Sequence, residues 1–404
     1  MGMLKRIKKI RENIFFEGKN KIDLLESPVI NVVNIEFTSR CNLKCVYCAV
    51  SQPGYESADL DPKTLEILIE SLKDSNVRVV NVNGHGETTI YKNWHLYCKK
   101  MLDMGLRLHI TSNFAREFSH EELKALSEFE TITASCDTSD PELHKKLRRG
   151  ADLRTLCLNI IKIREMALRD NRQPPQFAFN CVVSDQNVSG LMDYVVFARV
   201  LGIKNINFCS MKKYPDVKGS LNPVHISEMP IDLLSGVKET LNKSILFLKR
   251  SGISCQMQLG LLDSLEQKIE NPGKTKTVVT EETGSLVEHE ERERIAAEPV
   301  KKDNQPASSS ATKVSRTRDC LDPWSFIMVR ANKEVIPCCW YQSLHSSGIH
   351  RSLFDVFNNT KARELRRRLL TGDLPPDCMD CTGRKWTSTD NLKKKVWNYV
   401  HPGI

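Results

Sequence analysis

The stretch VVNIEFTSRCNLKCVYC, residues 32–48, decides the fold. Val32 to Phe37 is an apolar run of strand length, and Cys41, Cys45 and Cys48 follow it directly. Each cysteine lies three or four residues from the next, so one loop can wrap all three round a single inorganic cluster. Three thiolates cannot ligate all four irons of a cubane, and the open iron is where a substrate or cofactor binds. On spacing alone, a zinc site completed by a distant histidine or cysteine competes with this reading. Chance is a poor explanation, because three cysteines at one fixed spacing arise about 0.02 times per chain of this composition.

Outward from the loop, β-rich runs alternate with helical patterns. VRVVNVN (77–83) ends in Gly84-His85-Gly86, and LRLHITS (106–112), ETITASCD (130–137), FAFNCVV (177–183) and IKNINFCS (203–210) follow. Pro62 to Lys73 and His120 to Glu128 carry apolar residues at helical spacing, with Asp61 and Pro62 at N-cap and N1 positions. Six strands, each followed by a helix or linker, imply an α/β fold of parallel βα units in an open or closed barrel. Functional residues should gather on the loops after the strands. This core is expected to span 32–230, with a helical connection over 231–270.

The chain has 404 residues, 40% hydrophobic and 27% charged, which suits a soluble globular protein of two or three domains. No apolar run approaches the ~20 residues that span a bilayer. The basic, amphipathic segment 1–31 lacks the h-region of a secretory signal. Its stripe of Leu4, Ile7, Ile10 and Ile14 reads as a helix across the core, so no membrane association is expected. A reducing cytoplasm follows, where 14 cysteines serve as ligands or catalysts more often than as disulfides. The net charge of +9 permits an anionic partner without naming one.

Residues 271–318 are rich in charge, Ser, Thr and Pro and read as an insertion or linker. Beyond it, 319–390 forms a second cysteine-rich unit, and 391–404 a basic tail. FIMVR and VIPCC flank ANKE, a hairpin that would bring Cys320 and Cys338 towards Cys378 and Cys381. Four thiolates saturate a [4Fe–4S] cluster and equally suit zinc, which spacing alone prefers. Cys339 is left as a substitute ligand, a buried packing residue or a thiol hydrogen donor. Cys98, Cys136, Cys157, Cys181, Cys209 and Cys255 lack ligand spacing and read as core.

CxxxCxxC with Tyr47 before its last cysteine, on the loop after strand one, resembles the radical S-adenosylmethionine (SAM) superfamily. The resemblance implies a partial (β/α)6 barrel, and an iron held open by Cys41, Cys45 and Cys48 for the amino and carboxylate groups of SAM. Reduction would release a 5′-deoxyadenosyl radical. Gly84-His85-Gly86-Glu87 resembles the family's GGE motif, which implies that Glu87 pairs with the SAM ammonium. His85 and Thr88 depart from the usual pattern. Ser112 and Asn113 after strand three, and Ser135 and Asp137 after strand four, match SAM-contact positions. Arg149 falls in the family's R-G stretch. C-x-x-P-W, P-C and C-x-x-C resemble the SPASM extension or its shorter twitch form. That implies one auxiliary [4Fe–4S] cluster on Cys320, Cys338, Cys378 and Cys381.

Members with such extensions oxidise or epimerise. No leader-binding domain of ~80 residues fits at either end, which favours a small, sugar-like (aminocyclitol-like) substrate over a peptide. A peptide-modifying maturase is the alternative, and a non-catalytic zinc or nucleic-acid-binding protein is the rival from another class. Arg363, Arg366, Arg367 and Arg368 read as a solvated helix face, so no stable nucleic-acid partner is expected. The same basic residues would suit an acidic flavodoxin or ferredoxin as reductant.

Overall fold

The computed structural model describes residues 24–73, 76–211, 224–257, 261–270, 316–338, 353–381 and 383–401. Cys339, and most of the expected N-terminal segment and insertion, lie outside them.

In chain order the first unit runs β1 (Val32–Ile35), β2 (Lys44–Cys45), α1 (Pro62–Lys73), β3 (Val79–Asn81), α2 (Trp94–Asp103), β4 (Arg107–Ser112), α3 (His120–Ser127) and β5 (Thr131–Ser135). It continues with α4 (Pro141–Leu147), β6 (Arg148–Arg149), α5 (Leu153–Arg169), β7 (Gln176–Val183), α6 (Leu191–Val200), β8 (Asn205–Ser210), α7 (Ile231–Arg250), β9 (Ser254–Met257) and α8 (Leu261–Glu270). Three of these helices start at side-chain caps. Ser119 and Glu122 form a capping box on α3, and Asp140 and Asp152 cap α4 and α5. Such caps contribute about 1 kcal/mol each.

All six expected strands are present, and the sheet order β1-β3-β4-β5-β7-β8-β9 is parallel and never reverses. Right-handed crossovers in one direction put every helix on the same face. That face is apolar: Val33, Ile35, Val80, Leu108, Ile110, Ile132, Phe177, Phe179, Ile206 and Phe208 share one core with α1, α2, α3, α5, α6 and α7. The alternate residues line the opposite, concave face and are mostly polar, including Asn34, Asn81, Thr111, Thr133, Ser135, Asn180 and Asn207. This is a partial barrel with an open, hydrophilic interior.

Two additions were not legible. β9 falls inside a stretch that reads as helical, because four residues, SCQM, carry no strand pattern of their own. β11 (Phe326–Val329) pairs parallel with β1, extending the sheet with residues nearly 300 positions away. It turns into β12 (Val335–Ile336) through the expected ANKE hairpin.

The remaining elements are β10 (Arg316–Arg318), α9 (Asp322–Ser325), α10 (Leu353–Phe357), α11 (Thr360–Thr371), α12 (Pro376–Met379), β13 (Trp386–Ser388) and α13 (Thr389–Val400). β10 pairs with β13, so the last three residues of the expected linker belong to the C-terminal unit. The expected basic tail is corrected likewise. α13 buries Leu392, Val396 and Val400 in a core with Leu24, Trp324, Leu365 and Leu369. Arg366 is also corrected: it is fully buried, not solvated. It donates to the carbonyls of Pro323, Leu25 and Phe357 and to Asn358 Oδ1 at 2.7–2.9 Å. No described helix is long and apolar enough to cross a membrane.

Candidate active site

The loop bearing Cys41, Cys45 and Cys48 is held from three sides at the C-terminal mouth of the strands. From below, the Gly84–Glu87 loop packs against its first residues. A Cβ on Gly86 would lie 2.3 Å from Arg40 O and 2.4 Å from Thr38 O, so only glycine fits. A Cβ on Gly84 would meet Glu36 Oε1 at 2.2 Å. Glu36, which sequence reasoning missed, is 2% exposed and accepts from His85 N and from Ala331 N of the β11–β12 turn. Nothing in VVNIEF distinguishes Glu36 from a solvent-facing strand residue.

From the side, β2 pairs antiparallel with β6, setting Lys44 opposite Arg149 and Cys45 opposite Arg148. The alternation buries Cys45 and Arg148 and exposes Lys44 and Arg149. Arg149 is therefore at the surface, and its neighbour Arg148 enters the site instead. Arg148 forms a buried ion pair with Asp137 at 2.9 Å and lies 5.7 Å from the Tyr47 ring. Tyr47 donates its hydroxyl to Asp137 Oδ2, and Val182 N donates to Asp137 Oδ1 at 2.9 Å. Asp137 is thus committed to holding the cysteine loop. Burial, reinforced by Asp137, pushes the Tyr47 phenol well above its usual range despite Arg148.

From the third side comes the end of β4. Asn113 Nδ2 donates to Asn42 Oδ1 at 2.9 Å and lies 3.6 Å from Cys41 Sγ. Its backbone N–H donates to Glu87 Oε2 at 2.7 Å, while Ser112 Oγ and Thr89 Oγ1 both donate to Glu87 Oε1 at 2.8 Å. Glu87 is 3% exposed and ties β3 to β4. Oε2 carries only one of these bonds, which leaves acceptor capacity for another donor. Ser135 ends β5 on the concave face, and its hydroxyl has no hydrogen bond among the described residues.

The cysteine loop suits a thiolate-bound cluster. Leu43, Cys45 and Ala151 form an apolar nest against which Cys41, Tyr47 and Cys48 pack. Leu43 N donates to Cys41 Sγ at 3.4 Å. Burial raises the Cys41 thiol and pushes Cys45 up to about 12, so a metal would have to displace these protons. Among the described residues no group of three His, Cys, Asp or Glu side chains is already closed to metal-binding geometry. The thiols share a nest but not yet a ligand shell.

Among the described residues the second cysteine set likewise forms no closed metal-binding group. Burial raises the Cys320 thiol, with Cys338 adding, and pushes Cys378 up to about 12, with Cys338 and Cys381 adding. Arg318 fastens the CxxC turn by donating to Cys378 O at 2.8 Å and to Met379 O. A groove lined by Lys238, Asn242, Leu246 and Ile269 lies on the outer helical layer, away from both cysteine sets.

Residues 35–183 match the model of the Radical SAM superfamily. The probable GTP 3′,8-cyclase of Methanocaldococcus jannaschii is 25% identical over 197 residues, 47% of this chain and 62% of that protein. The GTP 3′,8-cyclase of Aquifex aeolicus is 25% identical over 191 residues, 45% of this chain and 57% of that protein. The match thus spans less than two thirds of these relatives. Among solved structures, Streptococcus suis SuiB bound to precursor peptide SuiA has a TM-score of 0.56 at 14% identity, covering 89% of this chain and 71% of that one. The structure of anSMEcpe with bound AdoMet has a TM-score of 0.53 at 15% identity, covering 93% and 94%. At such identities the likeness is one of fold.

Proposed function

We propose that this chain, whose residues 35–183 form a radical SAM domain, generates a substrate radical at the mouth of its partial barrel. The observation that carries the reading is the fastening of one loop, with Cys41, Cys45 and Cys48, to Glu87 through Asn113. A [4Fe–4S] cluster with SAM supplies, on one-electron reduction, a 5′-deoxyadenosyl radical that takes a hydrogen atom from a substrate C–H bond.

The chain's own residues set the stage. Cys41, Cys45 and Cys48 would hold the cluster, and Glu87 would accept from the SAM ammonium beside it. Ser135 offers a free hydroxyl one strand away. Asp137, Tyr47 and Arg148 keep the loop rigid, and Gly86 lets the SAM-side loop approach it. Cys320, Cys338, Cys378 and Cys381 would hold one auxiliary [4Fe–4S] cluster, a reading supported by Arg318, which fastens the turn that carries Cys378.

For the substrate we favour a neutral, hydroxyl-rich small molecule, oxidised or epimerised. The concave face presents amides and hydroxyls, with Ser135, Asn180 and Asn207 in one rung across β5, β7 and β8. Asn207 Nδ2 donates to Asn180 Oδ1 at 2.7 Å, which leaves an amide donor and a carbonyl acceptor side by side. Such a pair suits vicinal hydroxyls. A nucleotide is the second reading, favoured by the sequence match to the two cyclases.

The test is anaerobic iron–sulfur reconstitution, then SAM and dithionite. Formation of 5′-deoxyadenosine is expected, and its loss in Cys45→Ala. No SAM cleavage by a fully iron-loaded sample would overturn the reading. Deuterium transfer from labelled polyols or labelled GTP into 5′-deoxyadenosine then separates the substrate classes.

A further inference from the structure

The backbone ladder between β1 and β11 ends where Glu36 N donates to Val329 O at 2.9 Å. The Glu36 side chain carries the connection further. Its Oε1 accepts from His85 N at 2.5 Å, 49 residues on, and its Oε2 from Ala331 N at 3.0 Å, 295 residues on. Among the described residues its side chain has no other hydrogen bond, and the residue is 2% exposed. Burying a carboxylate is costly unless its oxygens are bonded. Packing alone needs no charge there. Two N–H groups that follow β3 and β11, the strands on either side of β1, need one acceptor oxygen each.

His85 belongs to the loop that carries Glu87. Asn34, the preceding concave-face residue of β1, donates Nδ2 to Asn83 O at 2.9 Å, so β1 side chains hold that loop at two points. Glu87 N in turn donates to Arg40 O at 2.8 Å, one residue before Cys41. Ala331 lies in the turn between β11 and β12, and Cys338 follows β12 by two residues. One carboxylate therefore joins the Gly84–Glu87 loop to a hairpin from the far end of the chain.

We propose that Glu36 is a positioning residue, through which the β11–β12 hairpin sets Glu87 against the cysteine loop. The proposal rests on the radical SAM reading, because SAM binding is what that placement serves. It makes the affinity for SAM depend on a turn that carries none of the expected SAM contacts.

The test uses the reconstituted full chain and measures SAM affinity by equilibrium dialysis. Glu36→Gln keeps the shape but leaves one acceptor oxygen, so its amide nitrogen faces one of the two N–H groups. Ala331→Pro removes the other donor. Lys333 N donates to Arg330 O at 2.9 Å, which puts Ala331 second in a four-residue turn, where proline is favoured. Glu36→Gln should weaken SAM binding about tenfold or more, and Ala331→Pro should weaken it as well. The double variant should bind about as poorly as the worse single one. SAM affinity unchanged in Ala331→Pro, or losses that multiply in the double variant, would overturn the proposal.

Should Ala331→Pro not fold, hydrogen exchange on the wild type decides. Coupling is reciprocal, so SAM should slow exchange of the Ala331 amide, and an unchanged rate would overturn the proposal. No SAM binding by the iron-loaded wild type would sink the enzyme reading instead. Exchange would then still decide the bridge: the His85 or the Ala331 amide should exchange faster in Glu36→Gln, and unaltered rates at both would overturn it.

Discussion

Arg148 Nε lies 2.9 Å from Asp137 Oδ2, with the two side chains 8% and 0% exposed. The pair joins the end of β5 to the ladder that carries Cys45, and Tyr47 completes it from within the cysteine loop. Its value is positional, because a buried pair gains little net stability over an apolar substitute.

Removing one partner should be far worse than removing both. Arg148→Met strands a buried carboxylate and should cost about 3–5 kcal/mol in denaturant unfolding. The double change Arg148→Met/Asp137→Leu should recover part of that stability but not the iron content after reconstitution. Full iron retention in the double variant would show that the pair does not position the loop.

Gly86→Ala should impair SAM binding more than Gly84→Ala. The first places a methyl against the backbone of residues 38–40, the second against the Glu36 side chain. Backbone cannot swing away, whereas a side chain can at the cost of its two hydrogen bonds. Equilibrium dialysis with SAM on reconstituted protein orders the two variants.

His144 is fully buried, and among the described residues neither ring nitrogen has a hydrogen-bond partner. Burial, with Arg148 adding, pushes its pKa down to about 4. The unfolded chain, with an ordinary histidine, therefore binds the extra proton between about pH 6.5 and 4. Stability is full above that window and declines as pH falls through it, by as much as about 3 kcal/mol. His144→Leu should flatten this part of the urea-midpoint against pH profile. An unaltered slope would assign the acid sensitivity to other groups.

Arg366→Lys should destabilise the C-terminal unit although charge is kept. An ammonium cannot reach the four acceptors that the guanidinium fork satisfies, and each buried orphan costs about 1–3 kcal/mol. Limited proteolysis should cut first near α11, and protection equal to wild type would contradict the account.

With an auxiliary cluster in place, Cys378→Ala should lower the reconstituted iron from about eight to about four per chain. The 5′-deoxyadenosine-forming activity of the first cluster should remain. Zinc at full occupancy, with iron unchanged by the substitution, would replace the cluster reading with a structural metal site.

Much of the site was readable as residue type at fixed spacing. The Cys41–Cys45–Cys48 loop, the glycines at 84 and 86, and Glu87 follow strand ends that alternation already marks. Local geometry is enough there, because a short loop after a strand can only present its residues at that strand's mouth. Arg148 against Arg149 was not readable. Adjacent residues in a ladder point opposite ways, and which one turns inward depends on the register with Lys44–Cys45. The same holds for Glu36, whose partners His85 and Ala331 come from distant segments.

The sequence by itself therefore determined the repeating βα order and the cysteine loop, since each is a local pattern. Tertiary structure decided that β11 joins β1, that the final basic segment is a buried helix, and which arginines are ligands of the fold or free charges at the surface. Those outcomes depend on pairings between residues up to about 300 positions apart, whose burial and ion pairs no local pattern encodes.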